Sequence, residues 1–217
     1  MTPVQRQPPT LRKDRAVAEI TAALVKELRD KSGAGMMDCK QALAATGGDP
    51  EKAMDELRKQ GLASAQKKSA RATKHGAVDS YIHAGGKIGV LVEVGVETDF
   101  VSRSEPFRDF THDLAMQVAA ASPLWVTRDE VPDEVIARER AIYAEQIKGK
   151  PEHVVEKILS GKLDKFFSET CLMEQAFVKD PERNIEQVRT DLVGVIGENV
   201  EVRRFVRFQL GETTVAG

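Results

Sequence analysis

Valine recurs at every second position from Val90 to Val96, while Gly89, Leu91, Glu93, Gly95 and Glu97 take the alternate sites. Period two places the valines on one face of a β-strand. Upstream, residues 78–84 read as a second short strand, with Tyr81 and His83 on one face and Ile82 and Ala84 on the other; Gly85-Gly86 joins the two strands as a hairpin. The alternation stops at Thr98-Asp99-Phe100-Val101, just ahead of a helix start at Ser104-Glu105-Pro106. A phenylalanine in such a turn has two fates. It tucks back into the core, the default for large apolar residues, or it projects as a wedge for a partner.

Helical spacing governs most of the remaining chain. Ile20, Leu24 and Leu28 stripe a helix over residues 18–31, ended by Ser32-Gly33-Ala34-Gly35. Met36-Met37 lead into a short helix over 38–45. A third helix opens with Asp49 as N-cap, Pro50 in the first turn and Glu51 favourable to the dipole, and Gly61 is expected to close it. Residues 18–61 therefore predict a three-helix module of the ubiquitin-associated type, whose thin core suits docking better than catalysis. Residues 62–76 follow with Lys67, Lys68, Arg71 and Lys74 and little that is large to bury. This basic stretch reads as a solvated linker helix in preference to a contact for RNA phosphates, because no aromatics interleave with its charges.

Phe107, Phe110, Leu114 and Val118 stripe a helix over 105–121, broken by Ser122-Pro123, with Trp125 as a core plug in the following loop. Further helices are expected over 132–148 and 152–159, Gly161 ending the latter, with more helix over 162–169. Residues 170–180 read as irregular with an apolar filling. A helix over 184–196 turns Ile185, Val188, Leu192 and Val195 or Ile196 inward. In the last strand, 199–210, alternation places Val200, Val202, Val206, Phe208 and Leu210 on one side and Arg203, Phe205 and Arg207 on the other. An aromatic flanked by cations there predicts a protein–protein contact. Residues 1–17 and 213–217 read as a disordered tail and a frayed end. The fold class is α+β: an N-terminal three-helix module, a linker helix, then an antiparallel sheet packed with helices over 77–212.

Composition narrows the function classes. The 217 residues carry a formal net charge of −2, so the chain is not a generic nucleic-acid binder. No apolar run approaches the ~18 residues of a membrane span, and no signal-peptide core is present, which predicts a soluble cytoplasmic protein without membrane contact. Cys39 and Cys171 have neither metal-ligand spacing nor the density of a disulfide scaffold, and are expected reduced and buried. Gly85-Gly86-Lys87-Ile88-Gly89 lacks the phosphate-loop spacing and lies between strands instead of opening a helix. His75, His83, His112 and His153 are scattered, with no metal-binding pair. No catalytic constellation, metal site or cofactor site emerges, so the chain is not expected to be an enzyme.

Several motifs support one another. Ser32 to Lys40 (SGAGMMDCK) and Glu97 to Val101 (ETDFV) resemble the two signature segments of the translation elongation factor Ts family. The likeness continues through Leu172 to Val178, Ile196-Gly197-Glu198-Asn199 and Arg203-Arg204-Phe205, in the family's order, over nearly the whole chain from Ala18 to Glu212. Ala176 departs from the family's common proline, and the length matches short members with one core unit. The resemblance implies a guanine nucleotide exchange factor that binds elongation factor Tu in its GDP-bound and nucleotide-free states. A factor that prefers the empty GTPase must weaken GDP binding by the same ratio.

By this resemblance Thr98, Asp99, Phe100 and Val101 form a wedge entering near the magnesium and phosphate site, bordered by His83 and Ile196. Arg29, Met36 and Met37 match the contacts of the N-terminal module. Longer relatives duplicate the core unit and draw wedge and histidine from different copies. A single copy therefore implies a homodimer whose second chain supplies His83. The rival readings are a docking adapter without exchange activity and an RNA-associated factor using Lys67 to Lys74.

Overall fold

A computed structural model describes residues 20–147, 149 and 151–212 of the chain, so the expected tails at 1–17 and 213–217 lie outside the described residues. The chain divides into two compact units between Arg58 and Lys59. In the first, α1 (Ala22–Ser32) is capped by Thr21, whose hydroxyl accepts from the Leu24 amide at 3.2 Å, and Gly33 ends it at φ 67°. The left-handed turn there is open to glycine at little cost. Helix α2 spans Met36–Ala45, two residues earlier than expected, so the two methionines form its first turn. Val25, Leu28, Cys39, Ala42, Leu43 and Ala53 make a small core.

Helix α3 (Pro50–Lys68) starts as predicted, with Asp49 Oδ1 accepting from the Lys52 amide at 3.2 Å. It then runs through Gly61, which was expected to close it, and stops at Lys68. Only the first half of the linker helix expected over 62–76 is therefore helical, as the tail of α3, and the stretch ends in strand from His75. Glycine inside a helix costs only about 1 kcal/mol relative to alanine and ends it only by turning left-handed, which Gly61 does not do. Gly161 repeats the lesson inside α7 (Glu152–Thr170). Beyond Gly61, Ala65 is buried in the core of the second unit.

That unit is built on a three-stranded antiparallel sheet ordered β1-β2-β5, from β1 (His75–Ile82), β2 (Ile88–Val96) and β5 (Val200–Gln209). Strand β1 begins three residues before the predicted start, at His75. Gly76 there has φ 151°, and any Cβ on it would strike the Val94 carbonyl. Helices α5 (Glu105–Ala121) and α8 (Ile185–Ile196) pack into one core with the sheet. Val90, Val92, Val94 and Val96 point into it together with Phe107, Leu114, Val118, Ile185 and Val193. At the inner end of α8, Ile196 is the residue turned to the core, while Val195 is exposed.

The stretch expected to be irregular is partly ordered: β3 (Ala176–Phe177) pairs with β4 (Asp180–Asn184). Buried Gln117 holds it, donating to Gln175 Oε1 and the Ala176 carbonyl at 3.2 Å and accepting from the Val178 amide at 2.9 Å. Two-residue strands carry no periodic signal in sequence. Helices α6 (Asp133–Gln146) and α7 pack on each other, and Trp125 lies half-buried against Val131, Phe167 and Cys171 in a separate small cluster. Its neighbour Val126 is the residue that enters the main core.

The last strand corrects the sequence reading most. Glu93 pairs with Arg204 and Val94 with Val202, leaving Arg203 as one extra residue in a β-bulge. A bulge exchanges the faces on either side of it. Val200 and Val202 point inward, but so do Phe205, which packs on the core, and Arg207, which donates to the Ala119 carbonyl. The predicted contact face of Arg203, Phe205 and Arg207 therefore does not exist. The outward apolar residues are Val206 and Phe208, with exposed Leu210 just past the strand.

Candidate partner-binding site

The turn between β2 and α5 is a single helical turn, α4 (Asp99–Ser102). Thr98 caps it, its hydroxyl oxygen accepting from the Val101 amide at 3.3 Å. Val101 and Ser102 are buried and anchor the turn, and Ser102 Oγ donates to the Asp99 carbonyl at 2.8 Å. Phe100 goes the other way: its residue is 85% exposed, against 8% for Val101. Of the two fates open to this ring, the fold adopts projection. Asp99 beside it is paired with Arg103 at 2.5 Å. An exposed ring on an anchored turn is an apolar surface that needs a cover, since large aromatics left in water forfeit burial energy.

The turn is clasped from the far end of α8. The Thr98 amide donates to Glu198 Oε2 at 3.0 Å and the Thr98 hydroxyl to Glu198 Oε1 at 2.7 Å. In return the Asn199 amide donates to Glu97 Oε1 at 2.7 Å. Buried Asn199 also donates through Nδ2 to the carbonyls of Arg71 (2.9 Å) and Ser69 (3.3 Å). Ile196, two residues before Glu198, sits half-buried at the same end, where Gly197 terminates α8 at φ 75°. The fold thus brings Ile196 and the Thr98–Val101 turn to one end of the unit.

His83 is not brought there. Strand β1 aligns His75 with Val96 and Ile82 with Gly89. Seven residue steps, about 23 Å at strand rise, separate the wedge end from the His83 end. His83 is exposed, with Nδ1 3.1 Å from the Tyr81 hydroxyl.

In the first unit, Arg29 lies exposed in the last turn of α1, and Met36 and Met37 are exposed in the first turn of α2. All three edge the Gly33–Gly35 corner, where flexible thioethers offer adaptable apolar contact.

Among the described residues the sheet face away from α5 is exposed. Its rows read Ile82–Gly89–Phe208, Ser80–Leu91–Val206 and Val78–Glu93–Arg204. Val78, Ile82, Leu91, Val206 and Phe208 are all exposed on it. Hydrogen bonds from Arg204 and Arg203 hold the Glu93 carboxyl below its usual range. Cys39 and Cys171 are buried free thiols, and burial pushes Cys171 up. Among the described residues no cluster of three or more His, Cys, Asp or Glu is placed to hold a metal ion, and no helix is long and apolar enough to cross a membrane.

Glu97, Glu198 and Asn199 lie in motifs that carry the resemblance but were given no role from the sequence, and Arg103 was not singled out. Arg103 was within reach, standing four residues from Asp99, a spacing that pairs opposite charges on a helix. The Thr98–Glu198 pairing spans a hundred residues and leaves no local signal.

The chain is similar to known proteins over nearly all its length. The Elongation factor TS family model matches residues 22–212. Elongation factor Ts of Citrifermentans bemidjiense is 58% identical over 195 residues, covering 89% of this chain and 90% of the relative. That of Anaeromyxobacter dehalogenans (strain 2CP-1) is 59% identical over 198 residues, covering 90% of each. That of Geobacter sulfurreducens is 58% identical over 195 residues, covering 89% of this chain and 90% of the relative.

Proposed function

The chain belongs to the elongation factor Ts family, and from that premise we propose that it releases GDP from elongation factor Tu by wedging Asp99 and Phe100 into the partner. Family membership implies the exchange role in translation; the wedge rests on one observation. Phe100 projects 85% exposed from a turn whose next residue, Val101, is anchored in the core. A rigidly mounted apolar ring enters a slot without first paying to be ordered. The acid beside it disfavours neighbouring phosphate oxygens, so the pair disturbs the nucleotide's contacts without copying them. The factor carries out no bond chemistry of its own.

The three-helix unit is the docking module, of ubiquitin-associated type, presenting Arg29, Met36 and Met37 to the same partner. The second copy covers the exposed sheet face. A two-fold axis running across the strands lays the Leu91–Val206–Phe208 patch on itself. It also reverses strand direction, bringing the partner's His83 end toward the wedge end, which one chain alone cannot do. Phe208→Glu puts a charge in that patch, and light scattering is expected to find monomers.

Release of a fluorescent GDP analogue from elongation factor Tu tests the exchange role. Acceleration by substoichiometric factor is the expected result. Binding without acceleration identifies an adapter instead. Neither effect, together with salt-sensitive RNA binding, identifies the factor that uses Lys67 to Lys74.

A further inference from the structure

Segments 97–98 and 198–199 exchange acids for amides. Glu97 accepts from the amide of Asn199, and Glu198 accepts from the amide of Thr98. The second half of this clasp bears directly on α4. Four residues are too few for a helix to hold itself, because the first turn fixes several dihedrals for a single hydrogen bond. Val101 and Ser102 hold its inner side. Its start is capped by Thr98, whose hydroxyl must present a lone pair to the Val101 amide. A free hydroxyl rotates. Here Glu198 Oε1 takes the hydroxyl hydrogen at 2.7 Å and so leaves an oxygen lone pair for the cap, while Oε2 fixes the Thr98 backbone at 3.0 Å.

We propose that Glu198 is a positioning residue for nucleotide exchange, acting through Thr98 to hold the Phe100 turn in its projecting geometry. The inference rests on the wedge reading above and deepens it. Glu198 need not touch the partner. Its effect is to remove the ordering cost of the wedge, which otherwise falls on the exchange step. The clasp is also local to one end of the unit, so its loss leaves the Arg29, Met36 and Met37 surface intact.

The test is GDP-analogue release by the full-length factor carrying Glu198→Ala, Glu198→Gln, Thr98→Val, the Thr98→Val/Glu198→Ala pair, or Phe100→Ala. Glu198→Ala is expected to lower the saturated release rate about tenfold, as loss of a charged hydrogen-bonding partner does, with the half-saturating concentration of elongation factor Tu–GDP within about twofold. Glu198→Gln keeps one of the two acceptor oxygens and is expected to release at a rate between those of Glu198→Ala and wild type. Thr98→Val should match Glu198→Ala, and the pair should be no worse than either single change, the mark of residues acting as one. Thermal unfolding of each variant separates positioning from loss of fold: slowed release at an unchanged midpoint marks positioning, and release that falls only in step with the midpoint overturns it. Wild-type release by Glu198→Ala beside a defective Phe100→Ala overturns the clasp alone. Wild-type release by Phe100→Ala overturns the wedge and the clasp with it.

Discussion

The Arg203 guanidinium lies over the backbone of Gly95, so close that a Cβ on Gly95 would stand 2.9 Å from Arg203 Nη2 and 2.8 Å from Thr73 Oγ1. The bulged arginine reaches across the strand at this point. Its Nη1 donates to Glu93 Oε1 at 3.0 Å, and Nη2 donates to the Thr73 carbonyl and, at 3.2 Å, to its hydroxyl. The missing side chain at Gly95 is therefore what lets the bulge close. Gly95→Val is expected to destabilise the sheet unit by about 1–3 kcal/mol, the range of overpacking. Gly89→Ala is the control: its Cβ meets only the mobile end of Ile82, at 3.1 Å. Urea unfolding of the two variants checks the contrast, and equal losses would contradict it.

The separation of His83 from Phe100 along one β-ladder leads to a mixing experiment. If each exchange site takes its wedge from one chain and its histidine from the other, His83→Ala and Phe100→Ala homodimers are both defective. Random re-pairing makes half the dimers mixed, each with one complete site, so about a quarter of the wild-type exchange activity should return. A mixture no better than the mean of its parents contradicts the shared site.

Glu93 gives a pH dependence of known sign. Arg204 first, then Arg203, lower its pKa from the ordinary 4.5 through hydrogen bonds. The folded carboxyl releases its proton more readily than the unfolded one. Its stabilising contribution is thus present above pH 4.5 and lost as pH falls through the lowered folded value. The stability gap between wild type and Glu93→Gln, small and salt-sensitive because the pair is near solvent, should close on that descent. A gap that widens with acid contradicts the assignment.

Much of this architecture is legible in the sequence, for definable reasons. Alternating valines identified the central strand and its buried face, because burial on one side leaves a period of two. The α5 stripe of Phe107, Phe110, Leu114 and Val118 carried a helical period and was found in place. The bulge at Arg203 was not legible by counting, since one inserted residue reverses every face beyond it. Gly95 amid valines was nonetheless a signal, a glycine inside a strand marking a bulge or a close approach. Gly61 and Gly161 misled because a glycine is a permitted stop, and only the following residues decide whether it is used. Phe100 and Val101 are both apolar neighbours, so composition could not say which turns inward. The phase of one helical turn decides that, and the partner of its cap, Glu198, is remote in sequence.

The central claim is that the exposed ring of Phe100 drives nucleotide release. Because that ring makes little of the fold's core, Phe100→Ala should unfold at the same temperature as wild type, so any change in activity reports the partner complex. The account predicts that this variant loses about 2–4 kcal/mol of productive complex, roughly 30- to 900-fold in accelerated release of the GDP analogue from elongation factor Tu. Release at the wild-type rate by a folded Phe100→Ala protein would contradict it.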